Sequence, residues 1–474
     1  MRCLRNGATL VPHICGWREQ LEKALMRKNG IGLLRLRRTL HPNHVRIARG
    51  LAVVGLFLVT AKLIGGVKEM IIAQRYGVAG VVDAYMLAFT FVTWLPQIAW
   101  SVGSLVLVPV LVALRKRPDE EQQFFQELNG SALQLGLATV ALVIGLGGGL
   151  IPVLVSGWTA DAQDLARRFT WQLAPAGLLL VFSASLSIRL QALERQSYTL
   201  LEAMPALGIL SFLLLLPNYV GGAPLVWGLL AGATAQVALL IWMAGRTHSL
   251  GGGVKWRRRS PLWNKVYASL GVMAGGQAAI SLVAPIDNAF AAQLGEGAIA
   301  VLGYANRLVA LLAELAATTI GRAVLPVLSH TVTEGKLQVG LRQAQQWAGI
   351  VFLATGIAAF LGWWIAPQAV ALVFQRGAFT AGDTVVVARV LRFGLLQLPF
   401  YCSGIVLVQW FAATRRYRVL VGTALLGVVA KCALNAALVG VLGVGGIALA
   451  TTAMYLFNFS ILLVLARRKR TWEN

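Results

Sequence analysis

The sequence predicts an all-α integral membrane protein, with about twelve transmembrane helices in two pseudo-symmetric six-helix lobes around a central cationic cavity. Of its 474 residues, 57% are hydrophobic and only 13% are charged, which is more apolar surface than a soluble fold of this length can bury. Apolar runs of ~20 residues, the length that crosses a bilayer as a helix, recur along the chain. Basic residues are concentrated in alternate loops between these runs.

The apolar runs are too long for the strands of a membrane barrel, and they do not alternate with a period of two. They are therefore predicted to be helices. The twelve predicted spans cover residues 50–72, 82–112, 130–157, 168–190, 200–218, 224–245, 264–293, 299–328, 345–374, 384–412, 419–440 and 443–466.

The distribution of basic residues predicts the orientation of the chain. With the N-terminus inside, the inner loops hold 31 of the 42 Lys and Arg residues and the outer loops hold four. Because positively charged loops stay in the cytoplasm, both termini are predicted to be cytoplasmic. The net charge of +24 is explained by this bias and by attraction to anionic membrane lipids, so no nucleic-acid partner is expected.

Polar breaks divide the chain into five predicted regions. The tail contains either a basic amphipathic helix on the inner leaflet or a solvated segment, and it starts at either Met1 or Met26. The linker carries Gly251–Gly253 and Arg257–Arg259 and is predicted to be flexible. The regions are a basic cytoplasmic tail (1–48), a first lobe (49–245), a basic cytoplasmic linker (246–263), a second lobe (264–467) and a cytoplasmic C-terminus (468–474).

Two short sequence matches relate the predicted lobes. AQRYG (73–77) matches AAQLG (291–295) at an offset of 218, and QALERQSY (191–198) matches FAATRRYR (411–418) at an offset of 220. Repeats of six spans have the same orientation, so an axis along the membrane normal should relate them. A cavity between two such lobes suits transport by alternating access.

Charged residues within the spans predict a binding site, because charge at membrane depth is costly unless it faces a cavity or a partner. Lys62, Arg307 and Glu314 lie deep in their spans and are expected to face a polar cavity. Arg307 and Glu314 are seven residues apart and share one helix face. Lys68 and Glu69 lie nearer a span end, where long side chains can reach the interface.

Lys62, Lys68 and Arg307 together predict a cationic site for a phosphate or diphosphate, since Lys supplies a point charge and Arg binds such groups bidentately. A bend at Gly65–Gly66 would bring the two lysines closer. The remaining acids are candidates for gates, ion-pair partners or coupling-ion sites. These acids are Glu69, Asp83, Asp287 and Glu314.

The chain shows no features of an enzyme or a metalloprotein. The four cysteines have no ligand spacing, so neither a metal site nor a catalytic residue is predicted. There is no GxxxxGK[ST] phosphate-binding loop and no cofactor is expected, so energy would come from the membrane potential or a monovalent ion. The outer loops are too short to form a catalytic domain, which favours a transporter.

Four segments resemble the MviN/MurJ family of lipid-linked cell-wall precursor flippases, in the MOP superfamily. In RGAFT and its flanks the resemblance is fairly specific. The segments are LIGGVKEMIIAQRYGVAGVVDAYMLAF (63–89), PIDNAFAAQLGEGAIAVLGYANRLV (285–309), VFQRGAFTAGDT (373–384) and VLGVGGIALATTAMYLFN (441–458).

The resemblance implies a flippase of the bacterial inner membrane that moves an undecaprenyl-diphosphate-linked saccharide, such as a lipid II-like peptidoglycan precursor, to the outer leaflet. It implies that Lys62, Lys68 and Arg307 stand at cavity arginine positions, and that Glu69 and Asp83 match family acids. It also implies cell-wall or polysaccharide synthesis proteins as partners.

Two departures keep other functions open. Pro96 and Gln97 stand where the family has paired arginines, and Asn306 stands where it has an acid. The alternatives are a flippase for another polyprenyl-linked saccharide (an exopolysaccharide or O-antigen unit), a drug/cation antiporter of the same superfamily, and an inactive cell-wall scaffold.

Overall fold

A computed structural model of the chain describes residues 42–115, 117–195, 197–216, 221–247 and 249–467. The chain divides into two units, and of the first, which ends at Phe57, only the beginning of one helix is described. The packing described below belongs to the second unit, from Leu58 onward. The predicted amphipathic helix of the tail, the choice between Met1 and Met26, and the C-terminal segment 468–474 lie outside the described residues.

The described residues form helices and no strand, which confirms the all-α class. The helices are α1 (Pro42–Tyr76), α2 (Gly80–Leu114), α3 (Pro118–Leu154), α4 (Ala160–Ala192), α5 (Tyr198–Leu201), α6 (Met204–Leu215), α7 (Ala223–Arg246), α8 (Leu262–Ser281), α9 (Val283–Ala292), α10 (Ala298–Thr333), α11 (Leu337–Phe374), α12 (Ala381–Leu395), α13 (Leu398–Ala413), α14 (Tyr417–Leu442) and α15 (Val444–Arg467).

Ten helical segments in the described part of the chain are long and apolar enough to cross a membrane. They include Tyr198–Leu215, formed by α5 and α6, and Ala381–Ala413, formed by α12 and α13. The ten segments match ten of the twelve predicted spans. The other two predicted spans, 50–72 and 264–293, fall on α1 and on the pair α8–α9, which are also helical.

The same helix packing occurs in both halves of the chain. In the first half, α4 packs against α2, α3 and α7, and α6 packs against α7. In the second half, α13 packs against α10, α11 and α15, and α14 packs against α15. The helices in equivalent positions of the two predicted repeats therefore contact equivalent neighbours, as expected for related lobes.

The two halves are joined at one end of the helices. We call this the sealed end; it carries the turns 77–79, 155–159, 293–297 and 375–380. Here one large cluster of buried apolar side chains includes residues of α2, α4, α10, α11 and α12. At the opposite end, which we call the linker end, there are two separate clusters: one of α2, α3 and α4 with the start of α8, and one of α10, α11, α13 and α15. The halves therefore pack together at the sealed end and separate towards the linker end.

The RGAFT motif closes the sealed end. The backbone N–H of Ala378 donates to the carbonyl of Gln74 at 2.8 Å, and Phe379 packs fully buried against Tyr304. Gly77 has φ +57°, and a Cβ there would lie 2.5 Å from the Ala378 carbonyl oxygen. Only glycine fits this close approach, because other residues rarely adopt this φ and would clash.

The basic linker is attached to α3. The backbone N–H of Lys255 donates to the Gln126 carbonyl at 3.0 Å, and the Asn129 amide donates to the carbonyls of Leu250 and Gly253, both at 2.9 Å. This differs from the flexible linker that the Gly-Gly-Gly and Arg-Arg-Arg runs predict.

Glu127 is the main anchor of the linker. Its carboxylate is buried and accepts hydrogen bonds from the backbone N–H groups of Arg259 (3.1 Å) and Ser260 (3.2 Å) and from the Trp263 indole (2.7 Å). Charge-assisted hydrogen bonds of this kind are roughly twice as strong as neutral ones. The linker is therefore ordered because it has a partner on α3, which the composition of the linker does not reveal.

Candidate functional site

A cavity of about 560 Å³ lies between the halves, and its volume is typical of a small-molecule binding site. Its wall is formed by α2 from the first half and by α8, α9, α10, α13 and α15 from the second. Three charged side chains line it: Asp287, Arg307 and Glu314. The neutral polar residues of the wall include Thr90, Thr93, Gln97, Gln277, Asn288, Asn306 and Gln397.

Lys62 of α1 forms an ion pair with Glu314 of α10. Both side chains are about half exposed, at 53% and 52%. This contact connects the deepest predicted lysine to the cavity wall, because Glu314 is one of the lining residues. The predicted sharing of one helix face by Arg307 and Glu314 is confirmed, since both line the same cavity.

Lys68, Glu69 and Arg307 form a second, more buried group. One carboxylate oxygen of Glu69, Oε1, lies 2.7 Å from the Lys68 ammonium and 3.0 Å from the Arg307 guanidinium. The Lys68 and Glu69 side chains are 9% and 7% exposed, whereas Arg307 is 49% exposed. The expectation that Lys68 and Glu69 reach the membrane interface is therefore wrong, because these residues have partners within the protein.

The two groups follow the antiparallel register of α1 and α10. Seven residues separate Glu69 from Lys62 on α1, and seven separate Arg307 from Glu314 on α10. Two helical turns on one helix thus match two turns on the other. The α1 helix continues through Gly65–Gly66, so Lys62 and Lys68 join one site through α10 rather than by direct approach.

The ion pairs leave a small positive excess. Three bases face two acids among Lys62, Lys68, Arg307, Glu69 and Glu314, so the group carries a formal charge of +1. A phosphate group could reach Arg307 from the cavity and replace a carboxylate as its partner. The site is therefore suited to exchange ion pairs when an anion arrives, since the bases are already held in place.

Asp83 lies at the sealed end, away from the cavity wall, and is fully buried. Its carboxylate accepts hydrogen bonds from the backbone N–H groups of Gly297 and Ala300, the latter at 2.6 Å. These are unpaired donors of the first turn of α10, where a negative charge is stabilising. Asp83 therefore connects α2 of the first half to α10 of the second.

Further hydrogen bonds join the halves at the same end. The Tyr304 hydroxyl donates to the Gly77 carbonyl at 3.0 Å, and the Trp158 indole donates to the Ala292 carbonyl at 2.8 Å. The Thr159 hydroxyl donates to Glu296 at 2.7 Å. Together with Asp83, these contacts form what we call the end lock: Asp83, Trp158, Thr159, Glu296 and Tyr304.

Asp287 lines the cavity and pairs with a base of α14. Its Oδ1 lies 2.9 Å from the Lys431 ammonium, and it accepts a hydrogen bond from the Asn435 amide at 3.1 Å. Lys431 and Asn435 are fully buried. The sequence places Lys431 deep in a span but does not indicate its partner.

Several site residues have no clear signal in the sequence. Asn288 donates to Thr90 at 2.7 Å across α9 and α2, and the Trp94 indole donates to Ser281 at 2.9 Å. Neutral polar residues are common in apolar spans, so composition does not single them out. The two residues of each pair lie near 190 positions apart in the chain. Sequence reasoning could have identified them only by predicting which helices of the two lobes are in contact.

Comparison with known proteins agrees with this architecture. The family described as "Lipid II flippase MurJ" matches residues 72–473. A probable lipid II flippase MurJ of Rhizobium tropici is 24% identical over 89% of this chain and 81% of its own length. The lipid II flippase MurJ of Burkholderia cenocepacia is 25% identical over 90% of this chain and 84% of its own.

Solved structures show the same fold. A lipid II flippase MurJ in an inward closed conformation has a TM-score of 0.74 at 18% identity, over 87% of both chains. A MATE family multidrug transporter in an inward-facing conformation has 0.69 at 13%, over 86% of this chain and 94% of that one. A MATE family transporter in an outward-facing conformation has 0.57 at 13%, over 90% and 95%.

The chain shares its helical fold with membrane transporters, among them a MATE family transporter of the MOP superfamily. It is a transporter and not an enzyme. The chain belongs to the lipid II flippase MurJ family, and it is a multi-pass protein of the bacterial inner membrane.

Proposed function

We propose that this chain moves lipid II, an undecaprenyl-diphosphate-linked saccharide, from the inner to the outer leaflet by alternating access. The single observation that supports this most directly is the group of three bases and two acids beside the cavity. Its half-exposed guanidinium faces a polar cavity of about 560 Å³, while its lysines are held in place by carboxylates. The match to the MurJ family along most of the chain gives the class of substrate.

The diphosphate is held by Arg307, Lys62 and Lys68 in this mechanism. Arg307 binds first, because it lies in the cavity wall. The phosphate oxygens then replace the carboxylates of Glu69 and Glu314 as partners of the bases. The loss of these ion pairs loosens the connection between α1 and α10. The lipid tail stays in the bilayer.

The cycle then opens the sealed end and closes the linker end. With both termini in the cytoplasm, as the charge distribution predicts, the linker end faces the cytoplasm. The headgroup enters the cavity there, where the halves are apart. Opening of the end lock releases it on the other side. The membrane potential or a monovalent ion supplies the energy, and proteins of cell-wall synthesis are the partners expected to supply and consume the substrate.

A flipping assay in proteoliposomes tests the role of the bases. The variant Lys62→Ala/Arg307→Ala should flip a labelled polyprenyl-diphosphate-linked saccharide at least about tenfold more slowly, since each charge-assisted hydrogen bond contributes about 1.5–3 kcal/mol. Lys336→Ala is the matched control, because Lys336 is an exposed lysine that pairs with Glu334 at 3.0 Å outside the cavity. Equal rates for the double variant and the wild type would remove these residues from the mechanism.

Complementation tests the saccharide. We expect expression of this chain to restore growth in a strain depleted of its own lipid II flippase. Failure of a stably expressed, membrane-inserted chain to do so would favour another polyprenyl-linked saccharide. The neutral wall residues Gln97 and Asn306, at positions where the family resemblance implies charges, make this test necessary.

A further inference from the structure

Lys431 lies within a cage of oxygen atoms contributed by three helices. Its ammonium contacts the Asp287 carboxylate at 2.9 Å on α9, and the Ile447 carbonyl at 2.8 Å and the Thr451 hydroxyl on α15. An ammonium has three N–H donors, and here each of the three has an acceptor. The side chain is 0% exposed, so the charge depends entirely on these oxygens.

A further polar side chain contacts the same carboxylate. Asn435 lies one turn after Lys431 on α14, is fully buried, and donates its amide to Asp287 at 3.1 Å. Its own carbonyl oxygen, Oδ1, has no hydrogen-bond partner among the described residues. A buried acceptor without a partner is costly, and this one belongs to a side chain that contacts the Asp287 carboxylate one turn from Lys431.

These are the oxygen types that bind monovalent metal cations in transporters. One carboxylate supplies the charge, while a main-chain carbonyl and a hydroxyl supply neutral ligands. Asp287 and Thr451 also line the central cavity, so the cage borders the space through which a cation could arrive. In this chain the place of such a cation is taken by the ammonium of Lys431.

We propose that Lys431 is a tethered internal cation: it fills an oxygen site that would otherwise bind a monovalent metal cation such as Na⁺ or K⁺. The site therefore holds its positive charge permanently and does not exchange ions with the solvent. It keeps α9, α14 and α15 together through one covalently attached charge. This inference does not depend on which saccharide the chain carries, nor on whether it flips one.

Thermal unfolding of the purified protein in three salts of equal ionic strength tests the proposal. The wild type should have the same Tm in NaCl, KCl and choline chloride, because no free cation reaches the cage. Lys431→Ala should have a Tm about 5 °C lower in choline chloride, since it leaves the carboxylate buried without its partner. Its Tm should rise in NaCl or KCl, where a metal cation can enter the vacated space.

The double variant Lys431→Met/Asp287→Asn is the control. It removes both charges, so it should fold and show no preference among the three salts. If folded Lys431→Ala can be purified only in NaCl or KCl, that result also supports the proposal. The proposal is overturned if Lys431→Ala shows no preference among the salts or is recovered in none of them while the control folds. It is also overturned if Na⁺ or K⁺ stabilises the wild type and Asp287→Asn abolishes that effect.

Discussion

A single carboxylate oxygen of Glu69 pairs with both Lys68 and Arg307, and the Glu69 side chain is buried. Glu69→Gln keeps the shape of the side chain but leaves Lys68 and Arg307 without an opposing charge. Removing one partner of a buried ion pair costs about 3 kcal/mol or more. We therefore expect the Tm of the variant in detergent to fall by about 3 °C, measured by thermal unfolding.

The control for this prediction is Glu334→Gln. Glu334 also contacts a lysine, Lys336, at 3.0 Å, but both side chains are well exposed. Exposed pairs contribute little, because water screens them. Equal Tm changes in the two variants would mean that burial of Glu69 does not matter to stability.

At the level of residues, the sequence predicts which charges are important but not their partners. Charge at membrane depth is sufficient to single out Lys62, Arg307 and Glu314, because lipid exposure there is costly. Distance from a span end is a weaker guide, and it fails for Lys68 and Glu69. Their burial depends on α10, which lies more than 200 residues away in the chain. No local sequence pattern predicts the register of α10 against α1.

The linker shows how one buried residue organises a polar segment. Glu127→Ala removes the acceptor of the backbone N–H groups of Arg259 and Ser260 and of the Trp263 indole. Detachment of the segment should then become at least about tenfold more frequent, since each such bond contributes about 1.5 kcal/mol. Trypsin, which cleaves after Lys255 and Arg257–Arg259, should cut the purified variant faster by the same factor.

Glu120→Ala provides the comparison, because Glu120 lies on the same helix and pairs with the exposed Arg117, at 3.3 Å. Its cleavage rate should equal that of the wild type. If trypsin cuts wild type and Glu127→Ala at one rate, the segment is not attached in the way described. Composition predicts a loose linker here, since the attachment depends on α3 and not on the segment itself.

Asp83 connects two elements from different halves, and its loss should affect the sealed end as a whole. Asp83→Ala leaves the first-turn N–H groups of α10 without their acceptor, at a cost of about 1–2 kcal/mol. Opening of this end should become about tenfold more frequent. A cysteine at the fully buried Ala300, in a background without other cysteines, should react correspondingly faster with a membrane-impermeant maleimide.

Asp383→Ala is the matched control for Asp83. Asp383 also caps a helix at the sealed end, through Thr380, but both residues belong to the second half. Its removal should weaken α12 locally and leave labelling at position 300 unchanged. Faster labelling in both variants would show that the loss of any helix cap loosens this end. The contact of Asp83 between the halves would then have no particular role in keeping it closed.

For the molecule as a whole, the repeated sequence offsets correctly indicate two related halves, because each repeat keeps its turn residues in equivalent positions. They do not indicate which end is closed. That depends on contacts such as the hydrogen bond from Tyr304 to Gly77, whose two partners look in the sequence like an ordinary core aromatic residue and an ordinary turn glycine. The two conformations of a transporter differ little in free energy, and the sequence must be compatible with the packing of both.

Alternating access requires the sealed end to open during each cycle, and a cross-link there tests this. Positions 80 and 296 face each other across the halves, since a Cβ on Gly80 would lie 3.7 Å from the Cγ of Glu296, so cysteines at the two positions provide the cross-link. Gly80→Cys/Glu296→Cys should flip substrate in reductant, although it lacks the Thr159–Glu296 hydrogen bond, and its rate should fall to background after oxidation. Reduction should restore the rate, because the bond constrains opening without altering the cavity.

A disulfide within one half separates this effect from oxidation itself. Thr247 and Ser249 have hydroxyl oxygens 2.9 Å apart in the first half, so Thr247→Cys/Ser249→Cys provides a matched pair that joins no moving parts. Oxidation should leave its flipping rate unchanged. Continued flipping by the fully cross-linked Gly80/Glu296 pair would show that the headgroup crosses without opening this end. Since the cavity borders the sealed cluster, another route would then have to pass between helices, towards the lipid.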